Sequence, residues 1–555
     1  MEADSDNLRR DLRGFQIYFI VISLVIGSGV FTNNGEALKV AGPMGLLYAV
    51  ITFGIVAICV GETIGQLVQL FPTRNAIFQY IHTFVDHDVA WATGILYWLT
   101  YSAIIPFQVL TASRLLEFWF YEGPWPLLFA LVLAPVILVT INILPVKIFG
   151  WIETIAGAVK LALVFGISIL LFVVARNDTR EDNFADAGFR GNESYVSSPG
   201  QAFFYVLPIV AFGYEGFESL AMAAFEAKNS GKTKMLIPLW IHGTIPVAYF
   251  FLTLGSILTV DWQDPHLPSS YGSDTDNGPA QVKKRHGDCN GHTPNSVVIL
   301  GIFKGVTTFG QNEAWACFGR GAINAAGVLN GILIFTTMSA ASAALYVSSR
   351  TLYGLTYKEK VGGRFGKFLQ ESTGTVWKET GAPAKAVVAS VFALTYRHKG
   401  RLSDEYLKFV PSGSGHYEAK GLTFGQPYMA FVGFISCTTV LFLVSNTMWK
   451  NGADPVRFFA AFLSHIIFAL IVIGRKLFYT AYPKRDGNDN VVSAWASVES
   501  ASQIEDKIQE LIDLARRLED EFPEGQQNGE SIQLQILGSS QEQSDERHES
   551  QGRRV

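Results

Sequence analysis

Charge is what this sequence has least of. Across 555 residues only 16% are Asp, Glu, Lys or Arg, and the formal net charge is −5. That small balance is spread over many short segments, so it points to neither an acidic nor a basic partner, and nucleic-acid binding has no support. Cysteine is scarce too. Of the four, Cys59 and Cys437 fall inside apolar runs and read as small packing residues. No cleavable signal peptide is evident, because the apolar run after "MEADSDNLRRDLRG" is too long and lacks a small-residue cleavage site. The first span is expected to act as its own insertion signal. No nucleophile–base set or phosphate loop stands out, so the reading is not an enzyme, with no cofactor and no metal site.

What the chain has in abundance is apolar length. Hydrophobic residues make up 49% and aromatics 13%, gathered into long blocks from Phe15 to Tyr482. A bilayer core needs about 20 apolar residues per helical crossing, and blocks of that size recur at 15–33, 44–70, 89–112, 126–145, 154–175, 203–225, 236–260, 322–347, 427–449 and 456–480. The pattern predicts an all-α polytopic membrane protein with about ten full spans. Polar or turn-forming segments separate them, including "TNNGEALKVAGP" and "FPTRNAIFQYIHTFVDHD".

Orientation follows from the basic residues that cytoplasmic loops retain. Arg9, Arg10 and Arg13 precede the first span, Lys147 lies between the fourth and fifth, and Lys228, Lys232 and Lys234 follow the sixth. Arg350, Lys358, Lys360, Arg364 and Lys367 follow the eighth. All share one side if both termini are cytoplasmic. Residues 1–14 then form a cytoplasmic head, 15–482 the membrane domain and 483–555 a cytoplasmic tail. Glycosylation sequons at Asn177 and Asn192 fall in a loop on the opposite, outer side. Cys289 and Cys317 share a long outer loop, 261–320, where an oxidising environment would permit a disulfide.

One apolar run is too short. "AVVASVFALTY", 386–396, has 11 residues and reaches barely half of a hydrocarbon core at about 1.5 Å per residue. Basic residues flank it on both ends, so it reads as a stub that does not cross. In the tail, Ile504, Ile508, Leu511, Ala515, Leu518 and Phe522 make one apolar stripe on an amphipathic helix over 502–522. That stripe could dock on the membrane domain or meet a cytoplasmic partner.

Two spans contain glycine where a plain helix would not. "VISLVIGSGVFTNNG" interrupts the first span at Gly27-Ser28-Gly29, and "PIVAFGYEGFESLAMAAFEAKN" interrupts the sixth at Gly213 and Gly216. Each glycine weakens a helix by about 1 kcal/mol. Either pair alone could serve close helix packing. Together, five spans apart, they point to inverted five-helix repeats with broken first and sixth helices and a site between the breaks. An unwound turn in lipid is tolerable only where its N–H and C=O groups line a cavity or a ligand. Freed N–H groups favour a carboxylate and freed C=O groups an ammonium; a zwitterionic amino acid offers both.

The segment from "LRRDLRGFQIYFIVISLVIGSGVF" to "GETIGQLVQLFP" resembles the opening of fungal amino-acid permeases, within the amino acid–polyamine–organocation superfamily. "GILYWLTYSAIIPFQVLTAS" resembles their third span, "FGYEGFESLAMAAFEAKN" their sixth and "SAASAALYVSSRTLYGL" their eighth. The likeness runs in order from about Leu8 to Tyr482. It implies secondary active uptake of amino acids by alternating access, usually with a proton, across a lipid bilayer, with the plasma membrane favoured over an internal one. By position it assigns the substrate carboxylate to the backbone at Ile26, Gly27, Ser28 and Gly29. Phe212, Gly213 and Tyr214 would hold the ammonium and shape the side-chain pocket. Glu218 matches the acidic residue after the sixth-span break; it reads equally as a substrate contact or as an ion pair or helix-end contact within the bundle. Lys160 matches a lysine that in proton-coupled relatives occupies the place of a sodium ion, while a snorkelling lysine is the plainer reading. Ser339 and Ser342 could supply hydroxyls nearby.

The sequence also departs from the family. Glu215 adds a second carboxylate beside the break. Gln108 and Trp151 stand where relatives often carry glutamate. "GAPAKAVVASVFAL" resembles the start of span nine and "LTYRHKGRLSDEYLKF" the end of span ten, so the hairpin between them is missing and the second repeat is truncated. Two functions therefore stand: an amino-acid/proton symporter, or a non-transporting member such as a sensor or an inactive truncated permease.

Overall fold

The computed structural model describes residues 12–71, 75–120, 124–177, 199–223, 231–262, 296–308, 320–356 and 455–481, with a few isolated positions between them. The regular elements among these residues are helices. Among the described residues, seven helical stretches are long and apolar enough to cross a membrane. The first, Gly14–Val68, has 55 residues. Straight, it would reach roughly 80 Å, more than twice a bilayer core. Two interruptions divide it. Span one starts as Gly14–Val25, loses helical geometry at Ile26 (φ −77°, ψ 89°) and resumes as a π-helical turn, Gly29–Asn33. The next helix, Asn34–Leu70, bends at Gly42, whose φ of 69° is followed by Pro43. Proline lacks the N–H that would continue the ladder and excludes helical geometry from the residue before it. Span two therefore begins at Pro43.

Span three is His87–Leu116 and span five Val146–Asn177. Span four runs from Trp125 to Ile143 through a π-helical turn at Phe129–Leu133. Span six enters as Pro199–Gly213 and leaves as Leu220–Ala223; span seven is Gly231–Thr259 and span eight Arg320–Thr356. A last long helix is Pro455–Ala481. Spans eight and three pack side by side, as do two with seven, two with six, five with seven and one with five. Burial runs opposite to that of a water-soluble protein. Spans four and five turn Leu131, Val132, Leu133, Ile155 and Ile169 outward, each more than half exposed. A face of that size would aggregate in water, and lipid is the solvent that suits it. The buried centre holds span one and the middle of spans three, six and eight.

Polar composition misplaces three boundaries. "TNNGEALKVAGP" reads as a connecting segment, yet Asn34–Ala41 is helical, with Asn33, Asn34 and Glu36 buried. The Asn34 amide donates to Thr253 Oγ1 on span seven at 3.1 Å, so the polar group has an internal partner. Span five begins at Val146 rather than near 154, which takes Lys147 and Glu153 into the helix. Span eight extends to Thr356, so Arg350 is not a loop charge.

Arg350 instead closes the bundle at the end where span one enters. Its Nε lies 3.1 Å from Glu226 Oε1, both side chains buried, and its guanidinium lies 4.2 Å from the centre of the Tyr346 ring. Tyr346 stacks on Phe149 of span five at 4.7 Å. The backbone oxygen of Glu226 accepts from the Leu12 N–H at 3.0 Å. The entry to span one, the exit from span six and the last turns of span eight are thus tied at one residue.

Cys59 is buried inside span two, as its apolar surroundings suggest. Asn177 is the last residue of span five. Asn192, Cys289, Cys317, Cys437, the apolar run 427–449 and most of the 386–396 stub lie outside the described residues. The tail helix over 502–522 does too, apart from Gln509 and Asp513.

Removing one partner of a buried ion pair costs about 3–5 kcal/mol, because the other charge stays buried without it. Arg350→Met should therefore lower the melting temperature of the protein in lipid nanodiscs sharply, and the double change with Glu226→Gln should recover most of the loss.

Candidate functional site

The two broken helices touch at their breaks. A Cβ placed on Gly29 would lie 2.7 Å from the Gly213 Cα and 3.2 Å from its nitrogen, so backbone meets backbone where spans one and six cross. Beside it, a Cβ on Gly27 would lie 2.7 Å from Gln108 Nε2 and 3.1 Å from the Ala340 Cβ. Gly216 needs glycine for a second reason. Its φ of 117° is a left-handed conformation that other L residues rarely adopt. Gly29 is thereby brought against Phe212 and Gly213, while Gly27 and Ser28 face Gln108 of span three.

The unwound turn of span one finds its partners in three other spans. In an unbroken helix the Gly27 N–H would bond to the Ser23 carbonyl; here it bonds to Val25 O at 3.0 Å. The released Ser23 oxygen accepts from Lys160 Nζ of span five at 2.6 Å. The Ser28 N–H donates to Gln108 Oε1 of span three at 3.2 Å. Val25 O also accepts the Tyr249 hydroxyl of span seven at 2.7 Å. Thr32 of the π-helical turn donates its hydroxyl to Ser28 O. The hydroxyl of Ser28 itself is buried without a hydrogen-bond partner.

Span six unwinds at Tyr214–Gly216, with the N–H groups of Tyr214 and Glu215 bonding three residues back to Ala211 and Phe212. The Tyr214 ring faces Phe53 and Tyr249, and its hydroxyl donates to Val50 O at 3.0 Å. Phe212 meets Phe107 of span three edge to face at 4.8 Å. Glu218 accepts the Tyr101 hydroxyl at 2.8 Å and the Gly216 N–H at 3.3 Å. These two bonds set its carboxylate at the start of the second half of span six. Glu215, beside it, is half-buried.

Lys160 is fully buried, so it does not snorkel. Around it lies a group that the sequence only partly foretold. Its Nζ lies 3.3 Å from Ser23 Oγ as well. Ser23 Oγ donates to Glu153 Oε2 at 2.5 Å and lies 2.7 Å from Ser339 Oγ, and Ser339 Oγ donates to the same carboxylate at 3.2 Å. Ser342 faces Glu153 too and accepts from Asn142 Nδ2 of span four. Ser339 and Ser342 thus both meet the Glu153 carboxylate, and Ser23 lies between Ser339 and Lys160. Glu153 and Ser23 were missed. The signal for Glu153 was its position seven residues before Lys160, which is the same helix face; a span boundary drawn at 154 concealed it. Of the two departures from glutamate, Gln108 enters the site, whereas Trp151 is nearly half exposed on the outer surface against Phe15.

The family model described as amino acid permease matches residues 16–395. The chain is 26% identical to the histidine permease HisP of Lactococcus lactis over 66% of its own length and 69% of that protein's. It is 24% identical to the lysine/arginine permease CAN1 of Candida albicans, over 87% of this chain and 84% of the other. With the lysine-specific permease of Saccharomyces cerevisiae it shares 22% identity over 86% of its length and 77% of that protein's. Among solved structures it is similar, at 13% identity and a TM-score of 0.40, to a nucleobase–cation-symport-1 family transporter with bromovinylhydantoin bound; the match covers 94% of this chain and 97% of the other.

The crossing at Gly29 is testable against a glycine that touches nothing. Gly29→Ala forces a methyl into backbone that cannot rotate away and should cost about 1–3 kcal/mol. Gly166→Ala, with open space around it, should be neutral or stabilise by up to about 1 kcal/mol. Thermal unfolding of both variants in the same lipid separates them.

Proposed function

The chain belongs to the amino acid permease family, and from that premise we propose that it takes up amino acids by proton symport, with its site opening alternately to the two sides of the membrane. It is a multi-pass membrane transporter, not an enzyme. The observation that carries the reading is the backbone contact of Gly29 with Gly213, beside the unwound turns of spans one and six. A zwitterion lying across that crossing meets freed N–H groups from span one and carbonyls from span six. In this reading the substrate carboxylate displaces Gln108 from the Ser28 N–H and takes the unpartnered Ser28 hydroxyl as a further donor. The ammonium lies against the Phe212–Tyr214 carbonyls. Glu215 and Glu218 on the same break favour a cationic side chain, and the names of similar lysine, arginine and histidine permeases support that class.

Lys160 is the coupling residue. Its ammonium supplies positive charge to the carbonyl of Ser23, where it holds spans one and five together. Losing the proton weakens that hold, which would let span one move relative to span five. The plasma membrane is the proposed location, with both termini cytoplasmic.

The test is uptake of labelled L-lysine, L-arginine and L-histidine into a host lacking its own permeases. Accumulation should rise with an inward proton gradient and collapse with an uncoupler. Lys160→Met should abolish the response to the gradient. Saturable binding of these amino acids without uptake would overturn transport in favour of a non-transporting member.

A further inference from the structure

The polar cluster around Lys160 contains a second ionisable group. Glu153 is buried on span five, one helical face with Lys160 and two turns before it. Span one brings Ser23 to its carboxylate, span eight brings Ser339 and Ser342, and span four brings Asn142 against Ser342. The titratable group that faces it is Lys160. A carboxylate withdrawn from water into a bilayer interior is costly and, by default, functional. Its surroundings also have a direction. The Ser23 hydroxyl has one proton, which it donates to Glu153 Oε2 at 2.5 Å, while its oxygen lies 3.3 Å from the Lys160 ammonium. Ser339 completes the set by donating to the same carboxylate oxygen.

We infer that Glu153 is a second proton carrier of the coupling site, exchanging one proton with Lys160 through the Ser23 hydroxyl. In the step, an N–H bond of the Lys160 ammonium breaks and its proton passes to Ser23 Oγ. The Ser23 O–H bond breaks in concert, and that proton lands on Glu153 Oε2. An ammonium–carboxylate pair becomes an amine–carboxylic acid pair. Protons and charge balance, the sum stays zero, and no other reactant is needed. The exchange therefore neutralises two buried charges together, which suits a bundle that must rearrange in lipid. It also acts on span one directly, because the neutral amine holds the Ser23 carbonyl less strongly than the ammonium does.

The inference rests on Lys160 as the coupling residue, so its test includes a readout that needs no transport. Infrared difference spectra of the full chain in lipid nanodiscs, taken between acidic and alkaline buffer, should show a protonated buried carboxyl. That band should vanish in Glu153→Gln, whose amide oxygen still accepts from Ser23 and Ser339. In Ser23→Ala, which retains both ionisable groups, the band should persist with its midpoint moved by about one pH unit or more. A band unchanged in Glu153→Gln, or a midpoint unmoved in Ser23→Ala, overturns the proposal. Proton-driven uptake of labelled L-lysine should fall at least about tenfold in Glu153→Gln. If wild-type uptake ignores the proton gradient while the infrared results hold, the coupling reading fails and Glu153 remains a proton-exchanging partner of Lys160.

Discussion

A backbone amide without a partner is the constraint from which this structure follows. Hydrocarbon offers no water to an exposed N–H or C=O, so a helix that unwinds inside a bilayer must be met by protein on every side. Span one unwinds at Ile26–Ser28, and three other spans supply the missing partners through Lys160, Gln108 and Tyr249. The positions of spans three, five and seven around the centre can be read from that one requirement. So can the glycines. Backbone groups of two helices approach this closely only where neither has a Cβ in the way.

The same constraint explains which features were legible in the sequence. Glycine pairs within apolar runs are conspicuous because they oppose both helix propensity and burial, and they mark the two breaks. Lys160 stands out as a charge among apolar neighbours. Glu153 does not, since it precedes Thr154 in the first third of its helix, close behind Lys147, where a boundary is easily placed too late. Asn33, Asn34 and Glu36 misled in the opposite direction: polar composition suggested a connection, but internal partners allow the segment to be helical and buried. Arg350 was counted with the loop charges because a single sequence does not display Glu226 as its partner from 124 positions away. What the sequence conveys well is the demand for a partner; where that partner comes from is set by tertiary packing.

Charge is distributed according to the same logic. The described interior retains ionisable side chains mainly where a second group answers them, as in Lys160 with Glu153 through Ser23, or Arg350 with Glu226. His242 and Glu62, 3.2 Å apart and buried between spans seven and two, form another such pair. Through Ser23, and directly at Arg350 and His242, these groups tie one helix to another, so their strength sets how rigidly the bundle is held. Ties of this kind resist sliding more than ordinary apolar packing does, because geometry governs a hydrogen bond closely while dispersion is tolerant of direction.

Gln108 carries a last consequence. Its amide oxygen already satisfies the Ser28 N–H, so a carboxylate bound there as proposed would exchange one hydrogen bond for another instead of gaining one outright. The net preference then rests on the difference between an ionic and a neutral acceptor, roughly a factor of two in hydrogen-bond strength. On that proposal the site would favour a carboxylate over amines and amides that bring no negative charge, yet grip even its proper ligand with restraint. For a carrier, that restraint is an asset: the neutral amide stands ready to reoccupy the turn, and the ligand can leave on the far side.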